Sequence, residues 1–272
     1  MLSKTLRSLA TLGIAAIPLQ AMAATINLGT AGAFAVLAGS TVTNTGPSVV
    51  DGDLGLSPGT SVTGFPPGTL VGTMHVADGV ALQAQNDLTT AYNVAAGEAV
   101  TQDLTGQDLG GLTLTPGTYF FSSTAGLTGT LKLDHQGNPS AQFVFQIGSG
   151  LTTASNSSVV SINNGGAVGG CNVFWQIGSS AVLGTGTDFQ GHIMALESIT
   201  MNTGSSILYG SALARTGAVT LDSVTITACP EDTGPPTHPV PLPNAALAGL
   251  TLLSILGLTR LNSARSKKSS AA

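Results

Sequence analysis

Residues 141–150 (AQFVFQIGSG) and 171–180 (CNVFWQIGSS) are near copies set about 30 residues apart. A unit that short cannot bury its own apolar side, so repetition at this spacing means units stacked on one another. Similar turn-bearing strands follow each copy, as in LTTASNSSVVSI, AVLGTGTDFQGHI, ITMNTGSSILYGSAL and VTLDSVTIT. Within them the alternation has period two: Ile199 and Met201 are expected to face inward with Ser198, Thr200 and Asn202 outward. In the same way Val219 and Leu221 point in, leaving Ala218, Thr220 and Asp222 outside. The 36 glycines punctuate short apolar segments as far as about residue 228. The pattern predicts a mainly β chain wound as a β-solenoid; a sandwich of unrelated hairpins explains the near copies less well.

Residues 76–101 break the pattern. They contain no proline and place Val80, Ala84, Leu88, Tyr92, Ala95 and Ala99 three or four apart, which predicts one long amphipathic helix. Its narrow, alanine-rich stripe suits packing along the flank of the solenoid. The ends are different again. Residues 1–23 read as a signal peptide, with Lys4 and Arg7, an apolar stretch from Leu9 to Leu19, and Ala21-Met22-Ala23 as the cleavage site. The solenoid domain is then 24–229, residues 230–243 form a Pro-rich linker, and 244–272 hold an apolar segment and a basic tail. This arrangement resembles C-terminal sorting signals of the Pro-Glu-Pro type, although Leu242 stands where glutamate is usual; a membrane anchor is the simpler reading. Either reading places the body outside the cytoplasm, secreted or at the cell surface. In that compartment Cys171 and Cys229 point to one disulfide, with two buried thiols as the alternative.

Charge excludes several functions. Lys132 and Arg215 are the only basic residues between about 25 and 240, too few to neutralise a nucleic acid backbone. They are also too few for a lyase acting on uronates, and the candidates for other catalysis are thin. His75, His135 and His192 lie far apart with no metal-binding spacing, and His238 falls in the linker. Asp51 and Asp53 form a D-G-D turn without the repeated nonapeptide of calcium-binding solenoids, so an Asx turn is expected there. No GxSxG elbow or P-loop is present. The chain is read as no enzyme, without metal or cofactor.

What is plentiful on outward positions is Thr, Ser, Asn, Ala and Gly. On a stacked sheet such side chains repeat about every 4.8 Å across strands and about 6.7 Å along one, a rigid array able to order water like ice. Ordinary solvent-facing strands also favour Thr and Ser.

The segments LGTAGAFAVLAGSTVTNTGPSVVDGDLGLSPG, QNDLTTAYNVAAG, LTPGTYFF, FVFQIGSGLTTASNSSV and NVFWQIGSSAVLGTGTDFQGHIMALESITMNTGSSILYGSALA closely resemble the microbial ice-binding (antifreeze) family over residues 25–228. The resemblance implies a discontinuous right-handed β-solenoid of triangular section, with N- and C-terminal parts completing one stack and one long α-helix packed alongside. It also implies a monomer whose flat face adsorbs to an ice crystal surface, giving thermal hysteresis or ice recrystallisation inhibition in cold adaptation. Aligning the repeats at their turns assigns to that face Thr41, Thr43, Ser61, Thr63, Thr128, Thr130, Thr152, Ala154, Val182, Ser198, Thr200, Asn202, Ala218, Thr220 and Asp222. Val182 and Asp222 depart from an ideal array and suggest moderate activity. The competing reading is a cell-surface solenoidal adhesin or matrix protein that binds polysaccharide.

Overall fold

The computed structural model describes residues 25–230. The two near copies lie side by side as parallel strands, Phe143–Ile147 against Val173–Ile177, in unbroken register with Phe145 opposite Trp175 and Gln146 opposite Gln176. One repeat is therefore one circuit of the chain. Parallel neighbours need a long crossover, and here the rest of the repeat supplies it. Identical positions stack through the core: Tyr119, Phe145 and Trp175 form a column with ring centroids 5.4 and 3.8 Å apart, and Phe189 closes it 4.8 Å beyond Trp175.

Strand pairing gathers into a fifteen-stranded and a seven-stranded parallel sheet. The seven-stranded sheet runs Ala125–Leu127, Leu151–Thr153, Ala181–Leu183, Ile199–Met201, Val219–Asp222, Thr41–Thr45, Ser61–Thr63. Its order is not chain order. The C-terminal strand Val219–Asp222 is inserted between Ile199–Met201 and the N-terminal strand Thr41–Thr45, so residues near 43 and near 220 share one stack. A single core cluster joins Val42 and Val50 with Leu221 and Ile226. Within the fifteen-stranded sheet the long strands Asp188–Ala195 and Ser206–Ala214 serve two ladders and turn between them at Gly191 and Gly210, where the register shifts. Gly191 has φ +101°, and a Cβ on Gly210 would meet its carbonyl oxygen at 2.0 Å, so glycine is required at that bend.

Phe143–Ile147 and Val173–Ile177 are buried at all five positions, unlike the alternating strands elsewhere. The reason is the helix. It spans Gly79–Gly97, and its Ala84, Leu88, Ala91, Tyr92 and Ala95 share a second core cluster with the outward-pointing Val144, Phe174, Met194 and Leu213. Asp78 caps its N-terminus by accepting the amide of Ala81 at 2.8 Å. Gln146 donates to the carbonyls of Ala95 and Glu98 at 2.8 and 2.9 Å, satisfying acceptors that the last turn leaves open. The helix is shorter than the predicted 76–101, because Met74–Val76 pairs as a strand with Asp53–Leu56 and Glu98 is extended. Two residues of the predicted stripe are also corrected. Val80 is 42% exposed, and Ala99 lies exposed beyond the helix; Ala81 and Ala91 occupy the buried phase instead. A phase set by small residues allows the close approach that a leading valine would block.

Cys171 and Cys229 form a disulfide with a Cα separation of 5.7 Å, which fastens the last described turn of chain to the loop before Val173–Ile177. The signal-peptide, linker and tail assignments fall outside the described residues.

Candidate functional site

Each strand of the seven-stranded sheet sends alternate side chains out, and the register decides which of them become neighbours. One outward row reads Gly126, Thr152, Val182, Thr200, Thr220, Thr43, Thr63, every adjacent pair being directly opposed across the ladder. Five of these seven positions are threonine, and none carries charge. Strand spacing alone sets neighbours about 4.8 Å apart. Beneath the row Val42, Leu151, Leu183, Ile199, Met201, Val219 and Leu221 are buried, so rotation of the backbone is resisted by the core.

Among the described residues, no hydrogen bond within the protein engages the hydroxyl of Thr43, Thr63, Thr152, Thr200 or Thr220. These groups face solvent with both donor and acceptor capacity unspent. The flanking rows differ. On one side lie Ser198, Ala218, Thr41 and Ser61, where Ser198 Oγ already accepts the amide of Ala218 at 3.1 Å. On the other side lie Ala154, Asn202, Asp222 and Thr45. Asp222 is not a bare carboxylate: Thr203 Oγ1 donates to its Oδ2, and Ser223 Oγ donates to its Oδ1 at 3.2 Å.

Fourteen of the fifteen predicted face residues are thus brought to this sheet or its margin, with Thr128 at the end of Ala125–Leu127 and bonded through Oγ1 to Asp108 at 3.1 Å. Thr130 is the exception. It begins the strand Thr130–Asp134 in the fifteen-stranded sheet and shares a 2.8 Å hydrogen bond with Ser158. The chain turns at Gly129, φ +89°, so the alternation counted through Leu127 and Leu131 crosses a corner and changes sheet. Sequence reasoning also missed Thr45 and Ser180. Their signal was present: Thr45 continues the Thr41–Thr43 alternation, and Ser180 stands two before Val182.

A second solvent-facing ladder runs through Thr130, Ser158, Asp188, Ser206, Thr225, Val49 and Thr69. Three of its five hydroxyls are spent in cross-strand bonds, Thr130 with Ser158 and Ser206 with Asp188 at 2.9 Å. The row beside it includes Lys132, Val160, Thr227, Asp51 and Val71. It is charged and uneven.

The remaining chemistry is structural. His192 is fully buried, bonded through Nδ1 to Ser211 at 2.8 Å, and burial pushes its pKa down to about 4. Burial also lowers His135. His75 is bonded to Asp78 at 2.8 Å beside the helix cap. Among the described residues no group of three or more His, Cys, Asp or Glu could hold a metal ion.

The described residues thus form a parallel β body that carries one uncharged, mostly threonine row on its seven-stranded sheet. Residues 36–227 match the ice-binding-like family. The chain is 56% identical over 244 residues to an ice-binding protein of Nostoc sp. (strain HG1), covering 87% of this chain and 88% of that one. A solved ice-binding protein from an Antarctic biological consortium superposes with TM-score 0.72 at 50% identity, covering 79% of this chain and 96% of the other. One from the Antarctic ascomycete Antarctomyces psychrotrophicus gives 0.73 at 40% identity, covering 76% and 100%. This chain belongs to the ice-binding-like family.

Proposed function

We propose that the protein adsorbs to ice through the outward face of its seven-stranded sheet, with the row Thr152, Val182, Thr200, Thr220, Thr43 and Thr63 at its centre. The observation that carries this reading is the row of unengaged hydroxyls on a core-locked ladder. Regular spacing lets each hydroxyl hold one water of a lattice, while the threonine methyls and Val182 limit competing arrangements. Ser198, Ala218, Thr41 and Ser61 on one flank, and Ala154 and Asn202 on the other, widen the contact, with Asp222 at its margin. Thr128 ends it, and Thr130 is left out. Ice is a repeating surface, so many weak contacts held in phase suffice where a soluble ligand would need a pocket.

The wider reading is a monomeric, non-enzymatic β-solenoid, discontinuous, right-handed and triangular in section, with the helix along one flank. Export by residues 1–23 and retention or sorting through 230–272 would place it outside the cell, where inhibition of ice growth or attachment to ice both follow. The interleaving of N- and C-terminal strands supports the discontinuous stack, and the disulfide suits an oxidising compartment.

Ice-affinity partitioning tests the function directly. The folded domain is expected to be incorporated into a slowly growing ice ball, with a freezing point held below the melting point. A domain left in the liquid would refute ice binding.

A further inference from the structure

The proposed face carries acidic residues only at its margins, and their contacts are not those of idle surface charge. Glu197 precedes the flank residue Ser198, and its Oε2 accepts from Ser179 Oγ at 3.0 Å and Ser180 Oγ at 3.4 Å. Ser180 Oγ in turn accepts the amide of Ser198 at 3.2 Å, and Ser198 Oγ accepts that of Ala218 at 3.1 Å. The carboxylate therefore begins a chain of hydrogen bonds that runs from strand to strand along one flank. On the opposite flank Asp222 takes the hydroxyls of Thr203 and Ser223. At the open end of the stack Asp108 accepts the amides of Gly110 at 2.7 Å and Thr128 at 2.9 Å through Oδ1, and Thr128 Oγ1 through Oδ2.

We infer that Glu197 and Asp222, with Asp108 at the end of the stack, are positioning residues that fix the margins of the ice-facing surface without touching ice. This inference rests on the proposed face. Its physical basis is the hydrogen-bond inventory: an ionised carboxylate is acceptor-only, so every hydroxyl beside it must point its proton toward it. That fixes the rotamers of Ser180 and Thr203 and leaves them no freedom to organise water differently from one molecule to the next. The strong hydration of the remaining carboxylate lone pairs then lies at the margins, away from the central row. Between the two flanks lies a strip about 13 Å wide, counted as four residues along a strand, in which the central row carries no charge. Sequence alone makes Asp222 a flaw in the array; its contacts make it part of the frame.

The test compares Glu197→Ala and Asp222→Ala with Glu197→Gln and Asp222→Asn, and includes Ser180→Ala and Thr203→Val, which remove the donors instead. Thermal hysteresis and melting temperature are measured for each, and the χ1 couplings of Ser180 and Thr203 in the variants that keep those residues. The alanine variants and the donor variants are expected to lose roughly half of the hysteresis, as when the support of a preorganised site is removed. Their melting temperatures stay unchanged, and in the alanine variants the χ1 couplings become rotamer-averaged. Glu197→Gln keeps one acceptor oxygen for both serine hydroxyls, and Asp222→Asn keeps one for Thr203 while its amide nitrogen donates to Ser223 Oγ, so both amide variants are expected to retain near-parental hysteresis. Full hysteresis in the alanine and donor variants, or equal loss in the amide variants, overturns the inference. Thr200→Tyr serves as the control for the face itself: if it too retains full hysteresis, the choice of face has failed and not merely its margins.

Discussion

The seven-stranded face and the ladder through Thr130, Ser158, Asp188, Ser206, Thr225, Val49 and Thr69 are built alike. Both consist of short parallel strands, both stack the same repeats, and both present Ser and Thr to solvent. They differ in where the hydroxyl protons go. On the second ladder Thr130 bonds Ser158 and Ser206 bonds Asp188, and Lys132, Asp51 and Asp188 add charges. On the seven-stranded face the hydroxyls of the central threonines have no hydrogen bond among the described residues. Hydroxyl content is therefore a poor guide to a water-ordering surface. On the proposed reading, what counts is hydroxyls left unpaired, in register, and away from charge.

The largest way to break this comparison is to remove what the two faces share. Trp175 is fully buried at the centre of the aromatic column, and Trp175→Ala is expected to cost about 3–5 kcal/mol. Denaturant unfolding measures that loss, and hysteresis measured near 0 °C should fall with the fraction of the domain that is unfolded there. Next, Thr200→Tyr or Thr220→Tyr should reduce hysteresis by roughly an order of magnitude, because one protruding ring destroys complementarity over the whole contact. Thr225→Tyr and Thr69→Tyr on the other ladder should leave it intact, and neither pair should shift the melting temperature. Equal loss from both pairs would erase the distinction drawn between the faces.

Acidification separates fold from face. His192 is held neutral by burial, with its pKa lowered from 6.5 to about 4, so the unfolded chain takes up the proton first. The stability it protects is complete above about pH 6.5 and is lost as pH falls from there toward 4, by up to about 3 kcal/mol. Calorimetry across that range should show the decline, and His192→Phe should flatten it. Hysteresis of the still-folded domain should hold between pH 7 and 5.5, since the central row has no titratable group. The smallest effect is a gain. Val182→Thr completes the threonine run and should raise hysteresis by up to roughly twofold, a polar group being added at no cost to the core; osmometry on matched concentrations reads it.

Much of this was legible in the residues. The near copies predicted stacked circuits, and they pair position for position. Period-two alternation put Thr200 and Thr220 outside and Ile199 and Leu221 inside, because successive Cβ atoms on a strand must point to opposite faces. The helix was visible, and Ala84, Leu88, Tyr92 and Ala95 of its predicted stripe are buried; Val80 and Ala99 were misplaced because Ala81 takes the buried place in the first turn and the helix ends at Gly97. Thr130 was misassigned because alternation is a local rule, and a corner at Gly129 intervenes. Asp222 read as a defect because hydrogen-bond partners outside the repeat alignment, such as Thr203, leave no periodic trace.

The sequence by itself determined which side chains each strand turns outward, and that those of the central row are small, uncharged and mostly threonine; both follow from covalent geometry and residue identity. The tertiary structure decided which strands become neighbours. Thr43 stands opposite Thr220, and the amide of Val224 is bonded to Ser48 Oγ, across 176 residues of chain. Only that long-range closure turns separate outward threonines into one row, and only packed neighbours determine whether a hydroxyl is spent on the protein or left for water.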